Sequence, residues 1–519
     1  MPIAVSACPS ASPTGGYARR EPEKSPLHLI VREHLETFLR VAREERGKDL
    51  PRYVEGELRR FIRCGILAHG FLLVACPTCG DKVVVGYSCK CRGACPSCSA
   101  RRMCGTAAHL CDHVLPADVP VRQWVLTVPD EVRRVLALRP DALTACGRLF
   151  VEEIARWQKQ TAKARGAPDG ETGAVTFVQR FHGLIGCFVH FHVVVPDGVF
   201  RRDAAGAVTF HEGPAPSRED IASVAARVGK RMTRWLRRRG LVDDRPIEDR
   251  GSESLEPSPL EACMQMSLFG GAFLRLDEAG VPVPVDDQRF ATRSKSPWAA
   301  EVRGYDVHAG VTVRAHDREG LERLLRYCAR APFSLERISL LPDGRVAYRL
   351  RKPRRNGATH LVLEPVAFLA RIASIIPPPR FPLVRLAGVF APCSPWRAAV
   401  VARAGAGSPS PSPAAKPERK KKKESGAASS VHTGDRAPPS APRSSLGAGV
   451  VKPVGARIDW ASLLRRVYLE DVLACPCGGR RRVLAAVEEP KTIAVLLEQL
   501  GLPTEPPPIA RARSPDHAA

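Results

Sequence analysis

Residues 188–195 read Phe188-Val189-His190-Phe191-His192-Val193-Val194-Val195, an apolar run broken by two histidines. Its β-branched and aromatic content predicts a strand. Because side chains alternate along a strand, His190 and His192 share one face while Val189, Phe191 and Val193 share the other. Two imidazoles on one face can hold a metal ion; the same pair on a half-buried strand also serves as ordinary hydrogen-bonded structure.

Working outward, Ala174 to Arg180 and Trp124 to Val128 read as further strands, with helical periodicity from Asp130 to Lys163 between them. A basic helix is predicted over Ser217 to Arg239, with Val224, Val228 and Met232 as its apolar stripe. Asp317 can cap a helix running through Leu321, Leu324 and Leu325 to Tyr327. Arg337 to Ser339 and Arg345 to Arg351 form a predicted hairpin around Pro342-Asp343-Gly344. Upstream, Ser25-Pro26 starts a helix carrying Val31, Leu35 and Phe38, and a second helix carries Val54, Leu58 and Phe61 and stops at Gly65. Short strands such as Lys82 to Tyr87 follow, separated by cysteine-containing turns.

With 519 residues, 44% of them hydrophobic, the chain can build two to four domains around real cores. Lys and Arg number 79 against 54 Asp and Glu, a formal charge of +25 that points to a polyanionic partner. Met1 to Lys24 lacks the basic-then-apolar pattern of a signal peptide, and no segment approaches the roughly 18 apolar residues of a membrane span. A cytoplasmic, nucleoid-associated location is therefore expected.

Several of the 17 cysteines fall in close pairs. Cys76-Pro77-Thr78-Cys79 and Cys95-Pro96-Ser97-Cys98 are two knuckles whose four thiolates suit one structural zinc ion with no position open for substrate. Cys89 and Cys91 lie between them, unassigned. Cys475-Pro476-Cys477 reads as a plain turn, having one residue between its cysteines.

Tyr327, in Leu324-Leu325-Arg326-Tyr327-Cys328-Ala329-Arg330, is the candidate partner of the histidines. A phenol is a weak nucleophile until cations or a metal favour its anion, and Arg326 and Arg330 flank this one. A tyrosine on a helix also commonly just packs that helix against a sheet. Arg330 and Ala331 stand one turn on, so a single nucleophile is read; Tyr305 and Tyr348 lie in strand-like contexts and are read as packing residues.

Together these stretches resemble the HUH rolling-circle transposases of the insertion sequence 91 family, in their single-tyrosine, common-region-like form with an N-terminal zinc-binding domain. The resemblance runs from Leu27 to Pro507, the linker excepted. It is carried by Cys95-Pro96-Ser97-Cys98-Ser99-Ala100-Arg101-Arg102, Val121-Arg122-Gln123-Trp124-Val125-Leu126, Val175 to Phe181, and Val189-His190-Phe191-His192. His316-Asp317-Arg318 leading to Arg326-Tyr327, Gly388-Val389-Phe390-Ala391-Pro392 and Gly501-Leu502-Pro503-Thr504-Glu505-Pro506-Pro507 complete it.

The resemblance implies an α+β chain: N-terminal helices and a zinc ribbon, then a palm-like antiparallel sheet flanked by helices, a disordered linker and a small C-terminal α/β module. The corresponding boundaries are 1–24 as a disordered N-terminus, 25–115 as the helical and zinc-ribbon DNA-binding domain, and 116–403 as the catalytic domain. A disordered basic linker over 404–455, with the run Arg419 to Lys423, and a C-terminal module with a disordered tail over 456–519 complete the chain. It further implies structural Zn2+, catalytic Mg2+ or Mn2+ held by His190 and His192, and attack by Tyr327 on single-stranded DNA at element ends. The product is a 5′-phosphotyrosyl link and a free 3′-hydroxyl, followed by joining to target DNA.

Phosphate contacts are expected from Arg101 and Arg102, from Arg237, Arg238 and Arg239, and from Arg351, Lys352, Arg354 and Arg355. His308 and Asp197 are possible third metal ligands by their proximity to the motifs. Two departures from the family pattern, His182 to Cys187 and Leu386-Ala387, keep open a catalytically decayed zinc-dependent DNA-binding protein. A related replication initiator or relaxase is the other alternative.

Overall fold

The computed structural model describes residues 17, 19–45, 47–242, 258–269, 272–276, 282–285, 296–354, 356–404 and 471–513. The expected disordered N-terminus, apart from residues 17 and 19–24, and the expected linker, apart from Ala404, lie outside them, as does Arg355.

The chain starts with helices α1 (Pro26–Glu44) and α2 (Arg52–Ile62), the hairpin β1 (Phe71–Ala75) and β2 (Lys82–Gly86), and helix α3 (Pro96–His113). Ser25 caps α1, accepting from the His28 N–H. There follow β3 (Val121–Thr127), α4 (Asp130–Leu138), α5 (Pro140–Ala164), β4 (Gly173–Phe181), β5 (Cys187–Pro196), β6 (Gly198–Arg202), β7 (Val208–Glu212) and α6 (Arg218–Arg237). The long helical stretch after β3 is broken where Arg139 turns extended before Pro140, as the residue preceding a proline must. Next come α7 (Pro259–Phe269), β8 (Ala272–Leu276), β9 (Pro282–Val285), β10 (Ala299–Val302), β11 (Tyr305–Val313) and α8 (Arg318–Cys328). The remainder is β12 (Ile338–Leu340), β13 (Val346–Arg349), β14 (His360–Leu363), α9 (Pro365–Ile375), β15 (Val384–Gly388), α10 (Arg397–Ala402), β16 (Arg482–Val487) and α11 (Pro490–Gln499). The chain is thus α+β, with the hairpin at Pro342-Asp343-Gly344 formed as the turn chemistry requires: Gly344 has φ +85.

A six-stranded antiparallel sheet in the order β10-β11-β3-β5-β4-β15 is the centre of the molecule. β5 is paired on both sides and buried on both faces. One face packs Trp124, Leu126, Phe191 and Val193 with residues of α5 and α6, in a core that also takes in α1, α2 and α9. The other packs Val175, Phe177 and Val194 against α3 and α8.

Two expected boundaries do not survive this packing. The N-terminal helices share a core with the central sheet, so 115–116 is not a division between cores. The C-terminal segment is not a module of its own: β16 pairs antiparallel with β1 in the sheet β16-β1-β2, and Val487, Ile493 and Leu497 pack with Leu67, Phe71 and Val84. A two-stranded ribbon leaves one face bare, and a third strand with an amphipathic helix covers it. No helix among the described residues is long and apolar enough to cross a membrane.

Candidate active site and cysteine clusters

The register of the central sheet builds the site. On β5, His192 lies opposite Val125 and Phe177, and His190 opposite Thr127 and Gln179. Residues directly opposite in an antiparallel ladder share a face, so both imidazoles, Gln123 and Gln179 face the α8 side. The two imidazoles lie 4.9 Å apart, centroid to centroid.

Helix α8 brings Tyr327 to them. Asp317 caps it by accepting from the Gly320 N–H at 2.7 Å, and Leu321, Leu324, Leu325 and Cys328 bury its apolar side. Tyr327, one residue before the end of the helix, is 45% exposed, and its ring meets His192 edge-on at 5.7 Å and 87°. Gln179 fastens this end of the helix, its amide donating to the carbonyls of Tyr327 and Cys328 at 3.1 and 2.8 Å.

Of the two cations expected beside the phenol, Arg330 is there, its guanidinium 5.2 Å from the Tyr327 centroid. Arg326 points elsewhere and pairs with Glu322 at 2.6 Å, the ion pair favoured one helical turn away. Tyr305 and Tyr348 are buried.

Burial, with help from Arg330 and Arg133, pushes the His190 pKa down to about 4, even though the Phe188 carbonyl works the other way. Burial, then His190 and Arg330, pushes His192 down to about 2. Both rings are therefore neutral at ordinary pH, the form that ligates metals. His190 Nδ1 bonds the Phe188 carbonyl at 3.0 Å, leaving Nε2 as its free donor atom. His192 Nδ1 meets the Gln123 side chain at 2.8 Å, and its buried Nε2 has no hydrogen-bond partner. An orphaned buried nitrogen beside a second imidazole fits a metal ion.

Neither candidate third ligand joins them. Asp197 lies on the opposite side of the sheet, clamped to Arg122 at 2.7 and 2.9 Å, and His308 is two strands away on β11. Gln123 and Gln179 escaped sequence reading; each is a buried polar residue in a strand, next to Arg122 or Arg180, at a position whose face only the register reveals.

The cysteines regroup. Cys76, Cys79, Cys95 and Cys98 do not share one site. Cys95 and Cys98 join Cys64 and Cys89, while Cys76 and Cys79 join Cys475 and Cys477, each set with its four sulfurs within 4.8 Å. The reason is length: Cys76 and Cys79 sit at the tip of the β1–β2 hairpin, Cys64 and Cys89 beyond its base, and five strand residues separate them by about 16 Å. In the first set Cys64 Sγ lies 3.8 Å from both Cys95 Sγ and Cys98 Sγ, and Cys89 Sγ 3.5 Å from Cys98 Sγ. Cys95 also caps α3, accepting from the Cys98 N–H. Glu57, buried, accepts the N–H groups of Arg92, Gly93 and Ala94 and holds the loop before it, while Cys91 donates to the Glu57 carbonyl instead of joining the cluster.

Among the expected phosphate contacts, Arg237, Arg238, Arg239, Arg351 and Lys352 are exposed and Arg101 and Arg354 half-buried. Arg102 is committed to the Lys90 and Cys91 carbonyls. The sequence reading missed a cleft beside the site, lined by Arg92, Arg102, Arg180, Arg330 and Gln179, with no carboxylate among its lining residues. Arg180 is 2% exposed, and its Nε and Nη1 have no partner.

The family model described as "Putative transposase" (Y2_Tnp) matches residues 173–397, and that described as "Transposase zinc-binding domain" (Zn_Tnp_IS91) matches residues 30–128. Neither the curated proteins nor the solved structures returned a match.

Proposed function

Since the chain belongs to the insertion sequence 91 family of transposases and carries the N-terminal zinc-binding domain of that family, we propose that it cuts and joins single-stranded DNA through Tyr327 in rolling-circle transposition. One observation carries this reading: the ring of Tyr327 stands 5.7 Å from that of His192, which adjoins His190. A Mg2+ or Mn2+ ion held by His190 and His192 would supply positive charge to the scissile phosphate. The Tyr327 oxygen forms a bond to phosphorus as the bond to the 3′-oxygen breaks; the phenol proton goes to solvent and the departing oxygen takes one up. A 5′-phosphotyrosyl link and a free 3′-hydroxyl result, and attack of another 3′-hydroxyl on that link joins the strand to target DNA. Because the intermediate retains the phosphodiester bond energy, the joining step needs no nucleotide cofactor.

Arg330 beside the phenol grips the strand's phosphates, and the exposed basic residues of α6 and of the loop after β13 extend that contact. On this reading Cys64, Cys89, Cys95 and Cys98 hold the domain's structural zinc, since four thiolates leave no position for substrate. The protein works where DNA is, in the cytoplasm at the nucleoid.

The test incubates the protein with labelled single strands from the element's ends and Mn2+. A denaturation-resistant adduct is expected, absent in Tyr327→Phe and much reduced in His190→Ala. An adduct that survives Tyr327→Phe removes the nucleophile; none with any end sequence favours a DNA-binding protein without catalysis, the reading kept open by the segment 182–187 and by Leu386-Ala387.

A further inference from the structure

The second cysteine set joins the two ends of the chain. Cys76 and Cys79 flank the tip of the β1–β2 hairpin; Cys475 and Cys477 lie in the turn before β16. Cys76 Sγ is 3.6 Å from Cys477 Sγ, and Cys79 Sγ 3.5 Å from Cys475 Sγ. A tetrahedral ion with zinc–sulfur bonds of about 2.3 Å holds its sulfurs about 3.8 Å apart, close to these distances.

Independent features shape the surroundings for such an ion. A Cβ at Gly479 would come within 3.0 Å of Cys76 Sγ and 3.3 Å of Cys477 Sγ, so only glycine lets the backbone pass this close to the sulfurs. Each knuckle closes on a glycine N–H, Gly80 to the Cys76 carbonyl four residues back at 2.9 Å and Gly478 to the Cys475 carbonyl three residues back at 3.0 Å. Arg481, 4% exposed, crosses between the segments, donating to Asp81 at 2.8 Å through Nε and to the Val472 and Ala474 carbonyls through Nη1. The single residue between Cys475 and Cys477 makes a tighter turn than Cys76-Pro77-Thr78-Cys79, yet both its sulfurs reach the cluster.

We propose that Cys76, Cys79, Cys475 and Cys477 bind a second structural zinc ion, which clasps the C-terminal segment to the N-terminal ribbon. This site is separate from the Cys64, Cys89, Cys95 and Cys98 set, and two of its ligands lie outside residues 30–128. Four thiolates favour zinc over hard cations and leave no open position, so the ion's work is to hold β16 against β1.

Metal analysis of the full chain measures the stoichiometry, and cobalt substitution reads thiolate ligation through its sulfur-to-cobalt charge-transfer band, which an imidazole site lacks. Two thiolate-bound ions per chain are expected, falling to one in Cys475→Ser/Cys477→Ser. Hydrogen exchange in the same variant should show protection lost over Arg482–Val487 and kept over Cys187–Pro196. Should that variant fail to fold, the wild-type count decides: two thiolate-bound ions support the clasp, and one overturns it. Retention of both ions by the variant, or peptide mapping that finds Cys76–Cys477 and Cys79–Cys475 disulfides instead of metal, also overturns it. The DNA adduct assay does not enter this test, so the clasp and the phosphotyrosyl reading fail separately.

Discussion

At the scale of single residues, the site depends on side chains that orient the imidazoles. Gln123 meets Nδ1 of His192, and a carboxamide can present either oxygen or nitrogen there. Oxygen toward Nδ1–H leaves the orphaned Nε2 with a lone pair for metal. Gln123→Leu should raise the Mn2+ concentration needed for half-maximal adduct by about 10- to 100-fold, the usual cost of losing such an orienting partner, while Gln123→Glu, which keeps an acceptor, should hold it near wild type. An unshifted midpoint in Gln123→Leu would show that Gln123 does not orient the ring. The lowered histidine pKa values give a pH signature. Histidines depressed to about 4 and about 2 stay neutral through the range in which an ordinary imidazole, near about 6.5, takes up a proton. The Mn2+ midpoint should therefore stay within about twofold from pH 7.5 to pH 5.5. The sign for stability follows: the unfolded state binds more protons, so the contribution is complete above about 6.5 and is lost as pH falls through about 4 for His190 and about 2 for His192. Thermal melts across that range check it.

Among the elements, α8 carries the most consequence, because Tyr327 stands near its C-terminal end and its Asp317 cap holds the other. Asp317→Ala should cost about 0.5–2 kcal/mol of stability, read by urea denaturation. It should also lower the adduct rate, since the cap holds the helix that carries Tyr327 and leads into Arg330. The cap, the apolar spacing of Leu321, Leu324 and Leu325, and the alternation in β5 were legible in sequence because each is local. The strands β10, β11 and β15 had no comparable local signature, and their membership in the sheet follows from pairing with β3 and β4.

For the whole molecule, α3, which begins at Cys95 and Cys98, buttresses α8, which carries Tyr327. α3 and α8 share a core, Arg318 donates to the Leu115 carbonyl at 3.2 Å and also bonds that of Cys111, and His316 N–H donates to the Ala117 carbonyl at 2.6 Å. Cys95→Ser/Cys98→Ser disrupts the cluster at the start of α3, and a displacement of α8 by about 1 Å can cost about 100-fold in rate. The expected result is an adduct rate reduced on that order, with Tyr327 still the site of attachment by peptide mapping. A variant that has lost this metal but reacts at the wild-type rate would uncouple the two helices.

Sequence alone determined that His190 and His192 share a face, that Tyr327 lies on a capped amphipathic helix, and that Cys76-Pro77-Thr78-Cys79 and Cys95-Pro96-Ser97-Cys98 have knuckle spacing, since those facts depend on neighbouring residues. Tertiary structure alone decided which cysteines meet, that Arg330 and not Arg326 attends the phenol, that Gln123 and Gln179 belong to the site, and that β16 completes the N-terminal ribbon. Each of these depends on strand length and register, which bring together residues far apart in the chain and leave no periodic trace in either partner.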